Sequence, residues 1–425
     1  MTVASKIAAD PRLDGLTVPA GGWPTTARSS ALMRLQTMGL PVKRDEYWRY
    51  TDPSALVCEA PLPCDPLQTS TPIFGTIDKT RLVFVDGVFD AEQSDNPDLA
   101  GVEITRLSEV NDLDLHWAQG LYGKLEEAGQ SPVARPLAAL NTAQATEGML
   151  VRVTGKPKKP LHISYRQSSK TSEAILHHVI KVEAGAELTL LETGTPGARS
   201  NVVLEVDIAD GGTLHHIRPQ GRAHGRHVAT HLFARVATEA TLKSFTMSLN
   251  GQLTRNEIVT EIVGDDAAVH VGGACVGDGD AFHHDDTVFI THDAVNCESR
   301  QVFKKVLRNG ATGVFQGKIL VKAGAQKTDG YQISQALLLD GDSQFLAKPE
   351  LEIYADDVAC SHGSTSGAID EDAMFYLRSR GVPEKEAQNL LVIAFLGEAL
   401  DEIENEDLAA DLQSRLEAWF SRHST

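Results

Sequence analysis

The sequence predicts a mainly β protein: a parallel β-helix (solenoid) core flanked by N-terminal and C-terminal helical regions. Three observations carry that reading. From about residue 148 to 365, short β-branched runs alternate with Gly, Asp and Asn turns, a strand-and-turn texture without helical periodicity. Within that stretch a phrase recurs: Gly185-Ala186-Glu187-Leu188, Gly211-Gly212-Thr213-Leu214, Glu239-Ala240-Thr241-Leu242, Asp266-Ala267-Ala268-Val269 and, more loosely, His292-Asp293-Ala294-Val295. Its last residues follow one another at spacings of 26, 28, 27 and 26. A repeat of that length predicts stacked coils, each burying its apolar face on the next. Third, the texture turns helical on either side. The repeat is degenerate, and an all-β sandwich is the competing architecture.

The elements follow in order. Residues 1–145 form a mainly helical N-terminal region. Ala27–Met38 carries Leu32, Leu35 and Met38 at helical spacing, and Gly39 and Pro41 stop it. Arg81–Phe89 alternates around Asp86-Gly87, a hairpin signal. Asn111–Ala128 and Pro136–Ala145 read as helices. Residues 146–366 are the β-helix core. Residues 367–425 are a helical domain. There Asp370–Ser379 is closed by Gly381, and Pro383 suits the first turn of the next helix. Ala387, Leu390, Leu391, Ala394, Leu400 and Ile403 mark an apolar stripe, and Leu408, Leu412, Leu416, Trp419 and Phe420 mark a second. Such helices pack on each other, cap the solenoid or dock a partner.

Composition excludes several classes. The chain has 425 residues, 42% hydrophobic and 23% charged, the balance of an ordinary globular protein with room for two or three domains. No apolar run reaches the roughly 20 residues of a membrane span. MTVASKIAADPRLDG at the start lacks an apolar signal core, so the expected location is the cytoplasm, or an organelle stroma after removal of a transit segment. A net charge of −19 argues against nucleic-acid binding. Five cysteines, at 58, 64, 275, 297 and 360, form no framework and are expected reduced. Cys58 and Cys64 read as incidental, and Cys275 and Cys297 as core or as the lining of a channel.

The stretch with most chemistry is Lys348–Gly367. The alternation of Leu351, Ile353, Tyr354 and Val358 indicates extended chain. Residues i and i+2 of a strand share a face, so Cys360 and His362 point the same way and Ser361 the other. A thiol and an imidazole make half a metal site, since a closed tetrahedral site takes four ligands. The plain alternative is a small buried thiol and a hydrogen-bonded imidazole.

Longer phrases add to this. Ala325–Gln332 (AQKTDGYQ), Lys348–Gly363 (KPELEIYADDVACSHG) and Phe375–Val382 (FYLRSRGV), with His283–Lys318, Tyr47–Asp52 and Arg81–Phe89, resemble the SufB/SufD family of iron–sulfur cluster assembly proteins. The likeness runs from about Asp45 to Gly397 and favours the SufD type. It implies a scaffold subunit without turnover of its own. It implies pairing with a SufB-like subunit through the β-helical cores, and a SufC-like ATPase docked on the C-terminal region. His362 matches the family's CSH histidine, which faces a SufB cysteine across that interface. Cys360 and His362 would then be cluster-assembly and transient iron ligands, with no cofactor held permanently. Family members often carry Lys where Ala359 stands, which removes one cation near the thiol. Self-pairing of the isolated chain through an exposed solenoid edge is a further expectation.

Other groups leave alternatives open. His283-His284-Asp285-Asp286, on a strand, gives one His and one Asp to each face, either as ligands or acid–base groups or as solvent-facing polar residues. Gln326, Lys327, Thr328, Asp329 and Gln332 are polar in a region expected to be strand; Lys327 and Asp329 would share a face and pair, in a structural or a partner-interface role. Gly313–Lys318 has three residues between its glycines and Ile319 where Ser or Thr would hold Mg²⁺, so no phosphate cradle is present. Two other functions compete. A Cys–His enzyme with Cys360 as nucleophile needs an orienting group and an oxyanion site. A β-helix acting on polysaccharide would rely on His283–Asp286, against an aromatic content of only 6%.

Overall fold

A computed structural model describes residues 12–67, 72–110, 113–221 and 223–423. Helix α1 (Thr25–Met38) ends at Gly39, whose φ of 71° suits a residue without Cβ. Short α2 (Ser54–Val57) follows, then β1 (Thr80–Val85) and β2 (Val88–Asp90), antiparallel across Asp86-Gly87. Both turn residues have positive φ, which matches the twist of the flanking strands. Strand β3 (Val102–Arg106) leads to α3 (Leu107–Val110), α4 (Lys124–Ala128) and α5 (Pro136–Gln144).

Sixteen strands then alternate between two sheets. They are β4 (Met149–Val153), β5 (Leu161–Arg166), β6 (Glu173–Val182), β7 (Glu187–Gly194), β8 (Arg199–Ile208), β9 (Thr213–Gln220), β10 (His227–Val236) and β11 (Thr241–Leu249). The second half comprises β12 (Leu253–Ile262), β13 (Ala268–Asp278), β14 (His283–His292), β15 (Glu298–Arg308), β16 (Thr312–Val321), β17 (Thr328–Leu338), β18 (Gln344–Ile353) and β19 (Val358–Gly367). From β5 onward the odd strands pair in parallel as one sheet, and from β4 onward the even strands as the other. Each coil contributes one strand to each sheet, which is the expected solenoid. The sheets begin upstream of residue 146: β1 adds in parallel to β5, and β3 adds antiparallel to β4. The N-terminal region is therefore partly sheet.

The recurring phrase is the turn that opens each odd strand. Gly185, Gly211, Glu239, Asp266, Asn296 and Lys327 all have φ between 55° and 67°. Each donates its backbone N–H to a carbonyl in the next coil's turn, to Asp210, Thr238, Asp265, Val295, Gln326 and Asp357 in order. The turns thus stack as a ladder. Leu188, Leu214, Leu242 and Val269 are in register, and the next partner is Ser299. The loose fifth phrase ending at Val295 is therefore out of step, because the coil lengthens there and Asn296–Ser299 is its true equivalent.

The layers are helix, sheet, sheet, helix. The inner faces bury one column that includes Leu176, Leu188, Leu204, Leu214, Val236 and Leu242. Sheets covered on both faces read as nearly continuous apolar runs. On the outer face of the even sheet, α5 packs with Ala138 against Val203 and Phe233, and with Leu137 beside Ala229 and Leu253. On the outer face of the odd sheet, α7 (Glu384–Leu400) and α8 (Glu406–Arg422) bury Leu396, Leu412, Leu416 and Trp419 against Ile217, Met247 and Val276. The C-terminal helices thus flank the solenoid, and among the described residues none of them covers its last coil. Asn405 accepts from Leu408 N–H at the start of α8, and Asp370 from Ala373 N–H at the start of α6 (Glu371–Ser379), caps that contribute about 1 kcal/mol each.

The expected helix over Asn111–Ala128 breaks up. Residues 111–112 lie outside the described residues. The rest is a 3₁₀ turn at Trp117–Gly120 and then α4, separated by Gly123 at φ 71°. Among the described residues no helix is long and apolar enough to cross a membrane.

Candidate functional site

Strand β19 is the last of the odd sheet and pairs only with β17 among the described residues. Its register sets Cys360 opposite Gly330, His362 opposite Gln332 and Ser364 opposite Ser334. Gly330, Gln332 and Ser334 are buried, whereas Ser361 aligns with Tyr331 on the other face. Cys360, His362 and Ser364 therefore continue the interior columns to the open end of the solenoid. The same-face prediction holds. Cys360 stands at the end of the column that begins with Leu188, Leu214 and Leu242.

Local chemistry follows from that position. A Cβ added to Gly330 would lie 3.1 Å from the Cys360 sulfur, so a larger residue there would push the thiol outward by a few tenths of an ångström. Cys360 is half-buried, and burial pushes its thiol above the ordinary value, with backbone hydrogen bonding from Gly330 opposing. That direction is opposite to what an activated nucleophile requires. His362 is exposed, one strand beyond the buried Gln332, whose amide donates to Gln301 Oε1 at 2.9 Å. Ser334 donates to Ser364 at 3.0 Å. Among the described residues no three His, Cys, Asp or Glu side chains converge to hold a metal ion. The pair at 360 and 362 stands alone there, one thiol and one imidazole on the same face of the strand.

The polar stretch before it divides. Gln326 and Lys327 belong to the turn, where Asp357 N–H donates to Gln326 Oε1 at 2.9 Å. Lys327 is in the left-handed region, so the expected face shared with Asp329 does not exist, and among the described residues no ion pair joins them. Thr328 is buried and donates to Ala325 O at 2.9 Å; Asp329 is exposed; Gln332 is interior.

His283–Asp286 sits on β14 and alternates as expected, but His284, Asp285 and Asp286 are all buried and the solvent-facing reading fails. His283 and Asp285 meet Thr51, whose hydroxyl lies 2.9 Å from His283 Nε2 and donates to Asp285 at 2.5 Å. Arg255 joins Asp285 and Glu257, donates to Tyr47 O at 2.9 Å and lies 4.1 Å from the Trp48 ring. This network latches Tyr47–Asp52 to the solenoid. On the inner face, Lys305 donates to Asp286 at 2.5 Å and lies 2.8 Å from His284 Nδ1. Cys275, aligned with Lys305 in the neighbouring strand, and Cys297, in a turn, are interior.

Sequence reasoning missed a second interior polar group. Glu192 accepts from Tyr165 at 2.5 Å and from Arg218 Nε at 2.9 Å, and lies 2.7 Å from His216 Nε2. Its signal is charge at inward positions of otherwise apolar strands, legible only once the register is known.

Residues 165–395 match the family described as SUF system FeS cluster assembly, SufBD core domain. The iron–sulfur cluster assembly protein SufD of Escherichia coli is 30% identical over 402 residues, 91% of this chain and 90% of the relative. A SufBD family protein of Synechocystis is 30% identical over 92% of this chain and 88% of its own length. Arabidopsis thaliana has a relative, the chloroplastic protein ABCI7, that is 24% identical over 90% of this chain and 83% of its own. The chain belongs to the SufB/SufD family of iron–sulfur cluster assembly proteins and is most like SufD.

Proposed function

We propose that this chain is a scaffold subunit of an iron–sulfur assembly complex, completed at its open solenoid end by a SufB-like β-helical subunit. The observation that carries the reading is the placement of Cys360 and His362 on the interior face of an edge strand that, among the described residues, pairs only with β17. A docking coil would extend both sheets and bring further ligands onto the half-set. Nascent iron or sulfide is then the cargo, held for a time by one thiolate and one imidazole from this side.

ATP hydrolysis is assigned to a SufC-like partner. Gly313–Lys318 lies inside strand β16, where a side chain at Gly317 would strike the Gln332 amide, so these glycines serve packing and do not cradle phosphate. The C-terminal helices offer the ATPase a surface: Phe375 is 74% exposed and Tyr376 55% on α6, and Leu390 47% on α7.

The test is reconstitution with His362→Ala. The variant keeps its circular dichroism spectrum and still assembles with both partners. Its cluster yield, read from visible absorption, falls by at least about tenfold, since a lost ligand exceeds the usual effect of a lost outer-shell group. Undiminished yield would refute the assignment.

A further inference from the structure

We infer that the solenoid interior holds one small monovalent anion of halide size, in a cavity beside the buried guanidinium of Arg226. The cavity measures 20 Å³ and lies between the two sheets. Glu192, Arg218 and Gln220 wall it from the odd strands, Val202 and Thr230 from the even strands, and Arg226 closes it. A water-sized occupant needs roughly 10–15 Å³ of such space.

Charge decides what fills it. Glu192 is ionised, held well below the ordinary carboxylate range against its burial by the Arg218 guanidinium and the His216 hydrogen bond. Its charge is matched by Arg218. Burial keeps the neighbouring His216 and His178 imidazoles neutral, that of His178 at about 4. Arg226 is left over. It is fully buried, and among the described residues no carboxylate lies within ion-pair distance of it. Its Nη2 donates to Asn250 O at 2.7 Å, and its Nη1 reaches Leu249 O and Ala223 O only at 3.3 and 3.4 Å. Among the described residues its Nε has no hydrogen-bond partner. The acidic groups acting on it are the Cys64 and Cys275 thiols, both raised by burial and so protonated, Cys275 at about 12. Burial lowers the guanidinium to about 10, which leaves it charged at neutral pH.

The site therefore carries one net positive charge in a low-dielectric interior. An unpaired buried ion is heavily penalised, and its usual remedy is a counter-charge. Water in the cavity would satisfy a donor but leave the charge. A single anion does both, with the Gln220 amide on the same wall as a further donor group. The outer side of Arg226 is close to solvent. Gly225, which precedes it, and Asn250, whose carbonyl it holds, line a surface cleft of 700 Å³ together with Cys64, His224 and Arg422.

The test is crystallisation of the full chain with sodium bromide in place of chloride, with diffraction recorded at the bromine edge. An anomalous peak inside the cavity beside Arg226 is expected. Bromide ordered only on the surface, with the cavity dark, overturns the inference. Arg226→Gln in the same medium is expected to lose the interior peak and keep the surface ones; an interior peak of undiminished height would also overturn it. If that variant fails to fold, melting of the unaltered chain decides: the midpoint should rise in bromide relative to gluconate at equal ionic strength, and coincident curves would refute the site.

Discussion

Cys360 illustrates how a strand position sets reactivity. It shares its column with Leu188, Leu214 and Leu242, yet it lies in the terminal coil and is only half-buried. Burial raises its thiol above the ordinary value, and the thiolate is the reactive form. In a Cys58→Ser background, leaving Cys360 as the one cysteine not buried, the rate of iodoacetamide labelling should still climb through the pH where an ordinary thiol levels off. Docking of the β-helical partner should suppress it. A profile that levels off near neutral pH would show an activated thiolate and favour a Cys–His enzyme. The shared face of residues 360 and 362 was legible because strand alternation is local. The seat that Gly330 gives the sulfur was not, because residues 330 and 360 meet only through the parallel register.

At the scale of elements, the turn ladder accounts for most of what was legible. Glycine at 185 and 211 and Asp or Asn at 266 and 296 suit the left-handed residue of each turn. The pattern held through Glu239 and faded where the coil lengthened before Asn296 and where Lys327 took that role. That fading put Lys327 in an expected strand and the fifth phrase out of step. The C-terminal helices show the complementary case. Their apolar stripes were legible, but the face they cover, the outer side of the odd sheet, was not, because helical period fixes a stripe and not its partner. Helix α6 buries no residue of its own, so its Phe375 is free to serve an interface. Phe375→Ala should leave the unfolding midpoint within experimental error. If the proposed docking on these helices holds, it should weaken binding of a SufC-like ATPase by about 2 kcal/mol, roughly thirtyfold, as expected for an aromatic anchor. Calorimetric titration with the ATPase checks this, and unchanged affinity would move the docking surface elsewhere.

For the molecule as a whole, the solenoid stores ionisable groups where sequence patterning places only apolar ones. Buried imidazoles at 162, 178 and 292 are all held neutral by desolvation, to about 3, 4 and 4. Each would titrate at 6.5 in the unfolded chain. Where the folded value is depressed, the unfolded state binds more protons at intermediate pH, so stability rises with pH in that window. The contribution is complete above 6.5 and is lost as pH falls toward 4. Glu192 and Glu257, both held below the ordinary carboxylate range against their own burial, by Arg218 with His216 and by Arg255 with His231, extend the loss to still lower pH. His292 separates these effects, since burial alone shifts it and, among the described residues, its ring has one hydrogen-bond partner, the Ser299 hydroxyl at 2.8 Å. Urea unfolding followed between pH 7 and 4 should show a steadily falling midpoint. The His292→Gln variant should start less stable at pH 7 and fall less steeply, with the difference approaching about 3 kcal/mol across the window. Parallel slopes for the two proteins would mean that the unfolded chain, or a hydrated interior, already accommodates that imidazole in both charge states.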